Sequence, residues 1–81
     1  MAGDTGDRTR QVVLEVLNAG NVKTTDVGNG DYKLEGNNRM EVVYLPEVCG
    51  RNLISSLSNK YAVLVEWFYH PELAEAKRRK G

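Results

Sequence analysis

Apolar and polar positions along the chain follow two different rhythms, and the points where the rhythm changes divide it into elements. From Asp7 to Gly20 the apolar residues Val12, Val13, Val16 and Leu17 recur at three- and four-residue spacing, the repeat of an amphipathic helix. Asp7 or Thr9 offers an oxygen to the free amides of the first turn, and Gly20 is placed to close the last turn in a left-handed conformation. Valine is stiff at χ1 and lowers intrinsic helix propensity, so this helix must be held by packing one face onto something else.

Between Val22 and Leu45 the rhythm shortens. Two clusters, Gly28-Asn29-Gly30 and Gly36-Asn37-Asn38, separate runs in which Val22, Thr24, Val27, Tyr32, Leu34, Met40, Val42 and Tyr44 supply strand-forming residues. Gly and Asn tolerate positive φ at tight hairpin turns, so the pattern predicts a three-stranded antiparallel meander. In the third strand Met40, Val42 and Tyr44 share one face, and Glu41, Val43 and Leu45 share the other.

Pro46 lacks an amide for a ladder and ends that strand. Leu53, Ile54 and Leu57 then fall at helical spacing between Gly50 and Asn59, predicting a second helix that stops at Ser58-Asn59. The run Tyr61 to Tyr69 is rich in Val, Trp, Phe and Tyr and reads as a strand; its apolar residues occupy both parities, so a buried helix is the alternative. Pro71 at a first helical position, Glu72 and Glu75 early and Lys77 to Lys80 late give the charge order that a helix dipole favours, predicting a terminal helix. The expected architecture is a single α+β domain of order α-β-β-β-α-β-α, with the meander covered on one face by helices. It occupies residues 7–76, between a flexible start over 1–6 and a basic end over 77–81.

Composition narrows the functional classes. The chain has 81 residues with eleven basic and eleven acidic side chains, a formal net charge of zero, unlike the strongly basic balance of a dedicated nucleic-acid binder. No run approaches the ~20 apolar residues of a membrane span. The first ten residues lack the apolar centre of a secretory signal, so a cytoplasmic location is expected. Cys49 is alone and can form no internal disulfide, and with a single histidine it cannot build a soft-ligand zinc site. No metal or cofactor is implied. A core of this size yields about 3–5 kcal/mol of net stability unaided, which makes self-association a route to further burial.

Each cluster of chemically capable residues has a simpler structural explanation. Gly28-Asn29-Gly30 leads into Asp31-Tyr32-Lys33, a strand-like run without the third glycine or the helix of a phosphate loop, so it reads as a hairpin turn. His70, the only imidazole, stands before Pro71 at an element boundary with no Ser or Cys near it in sequence. Cys49 beside Gly50 would be activated if it opened the second helix; as a small buried hydrophobe it would be inert. A Cys49–His70 dyad rests on nothing beyond the presence of both types, and Glu72 with Glu75 reads as a solvated helix face. Trp67, Phe68 and Tyr69 are the densest aromatic surface. As a strand they put a large ring on each face, one of them core and the other, with Val43 and Leu45, a partner site. Lys77, Arg78, Arg79 and Lys80, with Lys33 and Arg39 on the meander, are the candidates for contact with an acidic surface or phosphates.

The order of a helix, Gly28-Asn29-Gly30-Asp31-Tyr32, a hairpin, Val42-Val43-Tyr44-Leu45-Pro46 and a helix resembles the double-stranded-RNA-binding-like fold of HicA-type toxins, over about Arg10 to Leu57. The resemblance implies a related α/β scaffold. In that family a glycine-flanked histidine at the start of a strand is catalytic, and the corresponding places here hold Gly30 and Asp31, so the ribonuclease activity does not carry over. The expected function is a non-catalytic protein-binding or adaptor domain, self-association included, with a protein partner favoured over nucleic acid and no membrane. The alternative is nucleic-acid binding on that scaffold through the basic end, and a small hydrolase around His70 ranks third.

Overall fold

The computed structural model describes residues 6–80, with 78–80 described by their backbone alone. The chain runs β1 (Arg8–Thr9), α1 (Arg10–Ala19), β2 (Lys23–Gly28), β3 (Asp31–Gly36), β4 (Arg39–Tyr44), β5 (Val48–Cys49), α2 (Arg51–Tyr61), α3 (Val65–Tyr69) and α4 (Pro71–Lys80). It is an α+β domain built on the expected meander, with strands in the order β2-β3-β4. A second, two-stranded sheet that the sequence pattern did not suggest pairs β1 with β5, Arg8 opposite Cys49 and Thr9 opposite Val48. The expected flexible stretch lies, for Met1 to Thr5, outside the described residues; Gly6 is buried and its carbonyl accepts a hydrogen bond from the Tyr69 hydroxyl at 2.8 Å.

Helix α1 begins where Thr9, in extended conformation, accepts from the Val12 amide. It ends differently from expectation. Gly20 has φ −90°, and the left-handed residue is Asn21 at φ 69°. Glycine is required at position 20 for space, since a Cβ there would come within 2.7 Å of Val63 Cγ2.

Both hairpins turn at the glycine and asparagine clusters. Asn37 and Asn38 each have positive φ, between the paired residues Gly36 and Arg39, which is a two-residue loop whose twist matches its strands. The other hairpin carries Gly28, Asn29 and Gly30 at positive φ and a bulge that shifts the β2–β3 register between Asp26 and Gly28.

The predicted strand over Tyr61 to Tyr69 is absent. Tyr61 is instead the last residue of α2, on the same buried stripe as Ile54 and Leu57, and α3 takes up the aromatic run. The physical reason is the double parity: a strand would have to bury both faces, whereas two short helical pieces turn Tyr61, Val63 and Phe68 into one core. Ser58 and Asn59 do not break α2, which ends at Ala62 in the left-handed region, φ 57°. Helix α4 opens at Pro71 as expected and buries Ala74 against the rest.

The core joins Val13, Val16 and Leu17 of α1, Leu34 of β3, Leu45, Cys49, Ile54 and Leu57 of α2, and Phe68 of α3, with Tyr32 and Val43 packed at its edge. The helices thus cover the face of the meander that carries Tyr32, Leu34, Glu41 and Val43. Among the described residues no helix covers the opposite face.

Candidate interaction surface

The open face of the meander is defined by pairing register. Lys23, Glu35 and Met40 form one cross-strand row and Thr25, Lys33 and Val42 another, with Asp31 opposite Tyr44 at the far end. Charged residues hold the middle strand of this face, and apolar ones hold β4. Met40, Val42 and Tyr44 are 62%, 60% and 60% exposed, a contiguous apolar row on a strand that, among the described residues, pairs with β3 alone.

The same three residues direct their backbone to the free edge. The Leu45 amide donates to the Gly30 carbonyl at 2.8 Å, and the β3–β4 register runs without a shift from Asp31 opposite Tyr44 to Gly36 opposite Arg39. Hydrogen-bonded and non-bonded pairs alternate in an antiparallel ladder. Leu45, Val43, Glu41 and Arg39 therefore bond to β3, while Met40, Val42 and Tyr44 aim N–H and C=O outward. Tyr44 is also held in place. Its ring lies over Gly30, where a Cβ would come within 2.7 Å of Cε1, and Gly30 itself needs its positive φ of 83°.

The inner face of β4 is anchored by a small polar network. The Tyr61 hydroxyl donates to Glu41 Oε2 at 2.9 Å, and Lys60 Nζ lies 3.5 Å from the same oxygen. Burial, then the hydrogen bond and the charge of Glu41, push the Tyr61 phenol up to about 12, against a smaller opposing pull from Arg39, whose guanidinium lies 6.0 Å from the Tyr61 ring centroid. At the hairpin end, the Asn37 side-chain amide donates to the Lys60 carbonyl at 2.8 Å. These contacts fix β4 to α2 and leave its outer row untouched.

The residues singled out from sequence separate into different places. Leu45 and Phe68 are 0% exposed and lie in the core, so neither is available to a partner; Val43 is half-buried on the same inner face. The expected partner face is the one that turns inward: with Glu41 beside Val43 and Leu45 it is the partly polar half of the alternation, which reads as the half turned away from the helices. The exposed row Met40, Val42 and Tyr44 was legible as a shared face and only its direction was missed. Trp67 and Tyr69 are half-buried on α3, and the aromatic segment clamps the chain's beginning: Arg8 stacks 4.4 Å from the Tyr69 ring centroid and donates from Nε to the Phe68 carbonyl at 3.1 Å.

Lys77 is exposed on α4, and the side chains of Arg78, Arg79 and Lys80 lie outside the described residues. Lys33 and Arg39 fall on opposite faces of the sheet by the register of their strands. Cys49 is fully buried, its Sγ 3.5 Å from the Pro46 carbonyl. Burial raises its thiol pKa, with Arg10 acting more weakly in the opposite direction, the reverse of an activated helix-terminal thiol. His70, on the surface, faces Glu72 at 3.6 Å, so the two do not meet as a dyad. Among the described residues no three His, Cys, Asp or Glu side chains gather as a metal site, and no helix is long and apolar enough to cross a membrane.

Comparison with known proteins finds no matching family model, no similar curated protein and no similar solved structure.

Proposed function

We propose that this chain is a non-catalytic protein-binding domain, and that it docks an extended protein segment along the free edge of β4. One observation carries the reading: Met40, Val42 and Tyr44 are each roughly 60% exposed and carry outward-directed backbone donors and acceptors. Strand addition uses both, main-chain bonds for affinity and alternate side chains for specificity. Natural sheets blunt their edges with charge, bulges or proline, and the middle of this edge's open face has none of these. The cytoplasm is the compartment proposed, since a lone buried Cys49 has no disulfide to form.

Panning a random-peptide display library against the immobilised domain tests this. Enriched peptides should alternate apolar and polar residues, and their binding should weaken about tenfold or more in Val42→Lys, whose far-ultraviolet circular dichroism stays native. Failure to enrich any peptide, or binding indifferent to Val42→Lys, would remove β4 as the docking edge.

A further inference from the structure

The partner that fits this edge best is a second copy of it. We infer that two chains pair β4 against β4 antiparallel, with Val42 on the two-fold axis, joining two three-stranded sheets into one of six. This rests on the edge-docking reading above and names its occupant.

Register follows from the backbone. Only residues that point outward can form bonded pairs across the new seam, so Met40, Val42 and Tyr44 must meet the same set. Centring on Val42 uses all of them: Val42 faces Val42, and Met40 of each copy faces Tyr44 of the other. The outer face of the seam then becomes a closed apolar patch of Met, Val and Tyr, a favourable kind of cross-strand pair. Shifting by two residues in the direction of the turn pushes Tyr44 past the strand's start, and shifting the other way brings in Pro46, which has no amide to donate.

Charge supports the same arrangement. Arg39 starts the strand and Glu47, exposed, lies just beyond its end. Arg39 belongs to the inner parity, so an antiparallel copy sets it beside Leu45 of its mate, once at each end of the seam and far from the mate's own Arg39. Parallel pairing would stack like charges. Glu41, the charge nearest the axis, is already engaged by Tyr61 and Lys60 of its own chain, and a net charge of zero gives two copies no overall repulsion. Three side chains and one strand bury less than the ~800 Å² per partner of a standard interface, so the dimer is a reversible one.

Two measurements on the full chain decide it. Sedimentation equilibrium from micromolar to millimolar concentration should fit a monomer–dimer equilibrium that weakens about tenfold or more in Val42→Lys and is unchanged in Thr25→Lys, on the same face of the opposite edge. Under mild oxidation Val42→Cys should form a disulfide-linked dimer, since bonded pairs hold Cα atoms about 5.5 Å apart, within disulfide reach; Val27→Cys, exposed but off the seam, should not. A wild-type chain that stays monomeric throughout, or equal dimer yield from both cysteine variants, would overturn the self-pairing. If such a monomer still captured alternating peptides in a Val42-dependent way, the edge-docking reading would stand without it.

Discussion

The two border strands of the meander are equal in length and opposite in character. Strand β2 reads Lys-Thr-Thr-Asp-Val-Gly; its open-face residues Lys23 and Thr25 are polar, its ladder is interrupted by a bulge, and Asp26 folds back to accept from the Gly28 amide at 2.8 Å. Thr24 is tied to α1 through a 3.3 Å bond to Asn18. Strand β4 pairs with β3 in unbroken register, is tied to α2 through its inner face, and sets three exposed apolar side chains along its outer one. One sheet therefore has a guarded edge and an open one. Strand chemistry in this small domain serves two purposes: polar residues and a bulge stop pairing at β2, and an apolar row at β4 invites it.

The largest test of that contrast lies within β4 itself. Leu45→Ala, which removes a fully buried anchor, should cost about 2–5 kcal/mol in urea unfolding, although Leu45 lies only three positions from the exposed Val42. Next comes Gly30→Ala, expected to cost about 1–2 kcal/mol because an L-residue is strained at positive φ. Its Cβ would also displace the Tyr44 ring, so the chemical shifts of that ring should move more than those of Tyr61.

Tyr61→Phe follows, at about 1 kcal/mol for one lost hydrogen bond to a carboxylate that keeps Lys60. Its pH signature is sharper than its size. The folded phenol titrates near 12 and the unfolded one near the ordinary 10, so the unfolded state releases its proton first. The stability that this group contributes is fully present below about pH 10 and lost as pH rises toward 12; in Tyr61→Phe that part of the alkaline decline should vanish from the denaturation midpoints. The smallest effect is Val42→Thr, a β-branched exchange on an exposed position, expected within about 0.5 kcal/mol of wild type. A loss comparable to that of Leu45→Ala would mean that the outer row is not free.

How much of this was readable in advance varies with the physics involved. The meander and its turns were, because Gly28-Asn29-Gly30 and Asn37-Asn38 sit where positive φ is needed and few other residues tolerate it. The first helix was, because its apolar spacing has one reading. Tyr61 to Tyr69 was misread as a strand because β-propensity reflects packing in a sheet that this segment never enters, and its rings on both parities fit a core helix equally well. The direction of β4 was hidden for a related reason: Glu41 shares a face with Val43 and Leu45, whereas Met40, Val42 and Tyr44 are all apolar, so the alternation taken alone points the charged face outward. The deciding facts are distant ones. Glu41 is drawn inward by Tyr61 and Lys60, and Tyr44 outward over Gly30. The β1–β5 pairing, two residues from each strand, is too short to leave a periodicity.

The central claim, that β4 is an open edge whose outward-directed residues are Met40, Val42 and Tyr44, is tested most directly by residue-resolved amide hydrogen exchange across a range of protein concentrations. In dilute solution the amides of Glu41, Val43 and Leu45 should be protected by β3, and those of Met40, Val42 and Tyr44 should exchange quickly. As concentration rises, the second set should become protected while Thr24 and Asp26 on the β2 edge stay as they were. If Met40, Val42 and Tyr44 are already slow in dilute solution, or remain fast at every concentration while the chain associates, β4 is not the edge through which this protein binds.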